Sequence, residues 1–86
     1  MANLSIDETA FTNGDLYTII SNKDAHGRKG ALLAIVSGTK VEDVVAAIQK
    51  IHWYLRCKVR EVTMDFSEGM RQIVLECFPN ATITLD

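Results

Sequence analysis

The sequence predicts one α/β domain spanning residues 1–86, a three-strand antiparallel meander followed by two parallel strands, with sheet order 3-2-1-4-5 and two helices. Three observations predict it. Apolar runs of strand character fill the chain up to Val36, broken by Asn13-Gly14 and by the polar stretch Asn22 to Arg28. Two segments then carry apolar residues at three- and four-residue spacing, which is helical periodicity. Each leads into a short β-rich run, so helices alternate with strands in the second half.

The first strand follows from alternation: Leu4, Ile6 and Ala10 fall on one face, and Ser5, Asp7, Thr9 and Phe11 on the other. Asn13-Gly14 signals a two-residue hairpin loop, because both residues tolerate positive φ. With that loop, paired positions sum to 27 and Asp7 opposes Ile20. Leu16 to Ser21 is the second strand. Ala31 to Val36 is apolar on both faces and reads as an interior third strand.

Thr39-Lys40-Val41-Glu42 has the form of a capping box, and Val41, Val44, Val45, Ile48, Ile51 or His52, and Leu55 make one continuous helical stripe after it. Acidic residues at its start and Arg56 and Lys58 at its end suit the helix dipole. Val59 to Met64 is the fourth strand and delivers Asp65. Ser67 caps a second helix with the stripe Met70, Ile73, Val74 and Cys77, which Pro79 ends. Ala81, Ile83 and Leu85 alternate with Thr82 and Thr84 as the last strand. A right-handed crossover through the first helix sets strand four beside strand one. Asp7 and Asp65 thereby become neighbours.

Composition narrows the function. Nine Lys+Arg against 11 Asp+Glu give a formal charge of -2, without the basic excess of a self-sufficient duplex-binding module. An apolar share of 48% excludes intrinsic disorder. The longest purely apolar run is six residues, against roughly 20 for a membrane span, and no signal segment opens the chain, so a soluble, cytoplasmic protein with no membrane partner is expected. Cys57 and Cys77 lack metal or disulfide spacing and read as buried free thiols.

An aspartate inside an apolar strand is costly unless compensated. For Asp7 a divalent metal is one such partner, and oxygen-only ligation suits Mg²⁺ or Mn²⁺. A basic side chain or solvent is the alternative. Asp65 sits where a strand ends and a helix begins, a position that recurs in α/β ligand sites; alternatively it helps to cap that helix. Glu8 alternates away from Asp7. His26 and His52 lack metal spacing, Lys23, Arg28 and Lys29 read as a solvated basic turn, and Ser67 has no nucleophile setting.

Three segments carry a resemblance: Ser5-Ile6-Asp7-Glu8-Thr9-Ala10-Phe11, Val59 to Ser67, and Phe78-Pro79-Asn80-Ala81-Thr82-Ile83-Thr84-Leu85-Asp86. In that order they resemble the Ile-Asp-Glu-x-x-Phe, Val-x-x-Asp-Met-Ser and Phe-Pro-Asn-Ala-x-Ile-x-x-Asp segments of DDE transposases encoded by bacterial insertion sequences. The resemblance implies a ribonuclease H-like catalytic domain, with Asp7 as first and Asp65 as second catalytic, metal-holding acid. It also implies Mg²⁺ or Mn²⁺ as cofactor, DNA as partner of the parent protein, and phosphoryl transfer in DNA cleavage and strand transfer. Asp86 resembles the Asp that opens an Asp-Arg-Phe-His segment in that family, whose third acid lies on a helix further downstream. The expectation is therefore the N-terminal part of the catalytic domain, truncated at the C-terminus and inactive in isolation. The other readings are a non-catalytic α/β module that self-associates as a homo-oligomer through its uncovered sheet, and a small nuclease or phosphatase using the same two acids.

Overall fold

The computed structural model describes residues 2–26, 28–65 and 67–86. Gly27 of the polar turn, Phe66 of the Met64 to Ser67 segment, and Met1 lie outside the described residues. The chain runs β1 (Asn3–Ala10), β2 (Leu16–Asn22), a 3-10 turn (Lys23–Ala25), β3 (Leu32–Ser37), α1 (Val41–Ile48), α2 (Trp53–Cys57), β4 (Glu61–Met64), α3 (Glu68–Cys77) and β5 (Thr82–Leu85). The five strands form one sheet of order β3-β2-β1-β4-β5. β1 is antiparallel to β2, β2 antiparallel to β3, and β4 lies parallel between β1 and β5.

The alternation of β1 decides the layering. Leu4 and Ile6 are buried with Ile20, Val62 and Met64 on one sheet face, beneath Val44, Val45 and Ile48 of α1 and Met70, Ile73, Val74 and Cys77 of α3. Ser5, Asp7 and Thr9 occupy the other face, level with Thr63 of β4 and with Tyr17 and Ile19 of β2. Ser67 accepts a hydrogen bond from the Met70 amide and starts α3, and Phe78, just before Pro79, is its C-cap. The sequence expected both ends of this helix.

Several local expectations are corrected. The β1–β2 pairs sum to 26, so Asp7 opposes Ile19 rather than Ile20. The Gly14 amide donates to the Phe11 carbonyl at 2.8 Å, the Phe11 amide donates to the Asp15 carbonyl at 3.1 Å, and Gly14 has φ +86°. That is a three-residue loop whose last residue is left-handed, and the additional residue shifts the register by one. β3 is an edge strand, not an interior one, with Leu32 and Ile35 about half exposed. A bulge between its partners Ile20 and Ser21 leaves Leu33 without an opposite residue, and Leu33 packs against the core.

The predicted capping box is absent. Lys40 occupies the N-cap of α1 without a side-chain bond, one residue later than Thr39, which moves Glu42 out of capping position. The single helix expected from Val41 to Leu55 is two, so the described residues form three α-helices instead of two. Arg56 explains the break. Its Nε donates to the Ile51 carbonyl at 3.0 Å, the acceptor an unbroken helix would give to the Leu55 amide, while His52 Nδ1 accepts from the Tyr54 amide and caps α2. Arg56 is also buried and bonds the Cys77 carbonyl, so beyond the expected place at a helix end it ties α2 to the end of α3. Leu55, expected on the buried stripe, is exposed.

Both cysteines are free; Cys77 is buried, whereas Cys57 is only partly so. Burial pushes the Cys77 thiol up to about 11, against the opposing pull of the nearby Arg56 charge. At pH 8 an alkylating reagent should therefore modify Cys57 well before Cys77, since the thiolate is the reactive form. Mass mapping after a timed iodoacetamide reaction checks this, and equal labelling of both would contradict it.

Candidate functional site

The site is built by two neighbouring parallel strands. β1 and β4 pair through Ser5↔Thr63 and Ile6↔Met64. One residue further along the chain from that last pair stand Asp7, still within β1, and Asp65, just past the end of β4. The antiparallel pairing of β1 with β2 fixes one partner, and the crossover through α1 and α2 delivers the other. Fifty-eight residues of sequence separate them, and the fold makes them lateral neighbours.

Asp7 is half buried, and its Oδ2 accepts a hydrogen bond from the Ser5 hydroxyl at 2.8 Å. Ser5 lies two residues earlier on the same face of β1, so the bond orients the carboxylate along that face and leaves Oδ1 for another partner. Asp65 is exposed at the end of β4. The next strand contributes a third acid to the row: the Asp86 amide donates to the Met64 carbonyl at 3.0 Å, which sets Asp86 beside Asp65 at the end of β5. Among the described residues no three or more His, Cys, Asp or Glu side chains converge on one ion position. The two carboxylates of Asp7 and Asp65 nevertheless suit a hard divalent cation in donor chemistry, since Mg²⁺ binds through one or two carboxylates and keeps several waters.

A polar chain continues the same face toward the amino ends of the strands. Lys23 Nζ donates to Thr63 Oγ1 at 2.9 Å and lies 3.8 Å from Glu61 Oε1, and the Thr84 hydroxyl donates to Glu61 Oε2 at 2.9 Å. The 3-10 turn that carries Lys23 is held to β1 by Asp24, whose carboxylate accepts from the Asn3 side chain and from the Ala2 and Asn3 amides. Those bonds hold the Asp24 carboxyl below the usual carboxylate range. Sequence reasoning missed both Ser5 and this chain. Lys23 reads as a solvated turn residue until the register sets it over β4. His26 and His52 are exposed and far from the aspartates in role: one ends the 3-10 turn, and the other caps α2.

A mixed five-strand sheet of order 3-2-1-4-5 is the ribonuclease H-like arrangement. The catalytic core domain of BIV integrase, seen in its crystal form I, has the same fold, with a TM-score of 0.66 at 15% identity; the match covers 99% of this chain and 54% of that one. The chain thus spans about half the length of the integrase core. Residues 4–86 match the family model of ISL3-type DDE transposases, described as Transposase, and the chain belongs to that family. No curated protein sequence matches it. Among the described residues no helix is long and apolar enough to cross a membrane.

Proposed function

We propose that residues 1–86 form the N-terminal part of a transposase catalytic domain whose parent protein carries out metal-dependent phosphoryl transfer on DNA, with Asp7 and Asp65 as catalytic, metal-holding acids. The observation that carries this reading is the parallel β1–β4 register, in which Ile6 pairs with Met64 and each is followed by an aspartate. Asp7 and Asp65 would hold Mg²⁺ or Mn²⁺, and such ions supply activation of an attacking oxygen and stabilisation of the departing one at a phosphodiester. Ser5 contributes by fixing the Asp7 rotamer, so the carboxylate need not be ordered when a cation arrives.

Two acids leave a metal pair short of protein ligands, and the net charge of -2 offers little general attraction to DNA. The purified 86-residue chain is therefore expected to give no DNA cleavage or strand transfer with Mg²⁺ or Mn²⁺, whereas the longer parent is active. A gel assay on supercoiled plasmid tests this. Robust metal-dependent nicking by the chain alone, lost in Asp7→Asn, would replace the reading with a small nuclease.

A self-associating module is the second reading, and one observation favours it. Leu32 is 55% and Ile35 50% exposed on β3, which is itself a sheet edge. Exposed apolar edge strands invite pairing. The isolated, cytoplasmic chain is expected to form a homodimer or larger oligomer at micromolar concentration. Light scattering that returned a 9.6 kDa monomer across a hundredfold dilution would contradict it.

A further inference from the structure

At the opposite end of the sheet from the aspartates, the amino ends of β1 and β4 and the α3–β5 loop enclose an open recess of ≈ 700 Å³ lined by Ala2, Cys57, Lys58, Arg60 and Asn80. Among the described residues no carboxylate lines it. Its walls are tied down by the backbone: the Arg60 and Glu61 amides both donate to the Ala2 carbonyl, the Thr82 amide donates to the Arg60 carbonyl, and Asn80 Nδ2 donates to the Cys57 carbonyl at 2.8 Å. Lys58 and Arg60 are exposed, and the ion pair found among the described residues, Lys23 with Glu61, involves neither.

Beside the recess, α2 presents two large aromatic rings to solvent. Trp53 is 54% and Tyr54 60% exposed, although both are expensive to leave in water. A cation borders each: Lys58 Nζ stands 4.3 Å from the Tyr54 ring centre, and the buried Arg56 guanidinium stands 4.9 Å from that of Trp53. Lys58 thus belongs both to the aromatic shelf and to the recess wall. The net charge of the whole chain hides this local arrangement.

We infer that this surface is a second, non-catalytic binding site for single-stranded or frayed DNA, with bases stacking on Tyr54 and Trp53 and phosphates held by Lys58 and Arg60. Exposed aromatic faces interleaved with cations are what a strand with unstacked bases requires, since stacking is indifferent to sequence and the charges follow the backbone. An acidic peptide would use the cations and leave the rings idle. The family assignment enters only in choosing DNA over other polynucleotides. Arg60 and Asp65 are five residues apart on either side of β4, about 16 Å at 3.3 Å per residue. That span keeps the shelf clear of the aspartates.

Trp53 is the only tryptophan, so its fluorescence reports occupancy directly. The chain is titrated with a 15-nucleotide thymidine strand in EDTA at several salt concentrations, which removes any dependence on the metal reading. Saturable quenching is expected, with two phosphate contacts contributing about -1.4 to the log-log salt slope, at about -0.7 each for a single strand. Lys58→Gln with Arg60→Gln should remove that contribution and weaken binding, and Tyr54→Ala should weaken it by about tenfold. Circular dichroism verifies that these surface variants fold. In EDTA Asp7 and Asp65 hold no cation, so failure of the catalytic assignment leaves this result standing. The inference is overturned by absence of quenching at low salt, by unchanged affinity in the Lys58/Arg60 variant, or by a poly-glutamate peptide that binds as tightly as the DNA strand.

Discussion

Phe78→Ala is expected to lower the unfolding free energy by about 3 to 5 kcal/mol, the usual range for removing a buried phenyl ring. Phe78 is 1% exposed and lies at the end of α3, its amide bonded to the Val74 carbonyl, in the same core as Leu4, Ile6 and Val62. A small domain rests on about 5 to 15 kcal/mol in total, so this loss leaves little margin. Phe11 provides the contrast. It is 49% exposed and packs on Tyr17 with ring centres 4.7 Å apart, a contact of about 0.5 to 1.5 kcal/mol, so Phe11→Ala should be the milder variant. Urea denaturation of both reads the difference. A Phe78→Ala midpoint within error of Phe11→Ala would mean that the helical layer is not held as described.

The second large effect is on catalysis in the parent transposase. Asp7→Asn and Asp65→Asn should each reduce DNA cleavage and strand transfer by at least about 100-fold, because even the outer partners of a metal site cost about 10- to 100-fold when removed. Asparagine keeps the size of the side chain and can still accept from Ser5 at position 7, so folding should be unaffected. Glu8→Gln is the control: Glu8 alternates to the other face of β1 and is exposed, and its loss should leave activity within about twofold. Gel assays of excision with thermal melts beside them separate lost chemistry from lost structure. Activity retained in Asp65→Asn would remove that residue from the assignment.

These two sites were legible in the sequence to different degrees. Leu4 and Ile6 reveal the buried face of β1 by alternation alone, and Ser67 and Pro79 bracket α3 by local chemistry, so the stripe Met70, Ile73, Val74 and Cys77 needed no tertiary information, whereas the burial of Phe78 at the helix end was not read from the sequence. The proximity of Asp7 and Asp65 followed from topology, and a one-residue error in the β1–β2 register did not disturb it because β1 meets β4 on its other side. Asn13-Gly14 fits two loop lengths equally well, and only the Phe11–Asp15 hydrogen bond distinguishes them. The break after α1 was illegible for a related reason. It depends on Arg56 reaching the Ile51 and Cys77 carbonyls, a contact 21 residues long on one arm, which no periodicity encodes. β3 was misread because a run apolar on both sides suits an interior strand, although the predicted strand order had already put it at the edge. The polar chain through Lys23, Thr63, Glu61 and Thr84 joins three elements and exists only once their register is set.

The central assignment is that Asp7 and Asp65 act on one cation. Electron paramagnetic resonance of free Mn²⁺ during titration of the 86-residue chain measures it most directly, applied to the unaltered chain, Asp7→Asn, Asp65→Asn and the double variant. Shared ligation predicts that each single substitution abolishes most of the bound Mn²⁺ and that the double variant is little worse than either, the non-additivity expected of groups that act together. Mn²⁺ binding that survives both single substitutions, or losses that simply add, would contradict it.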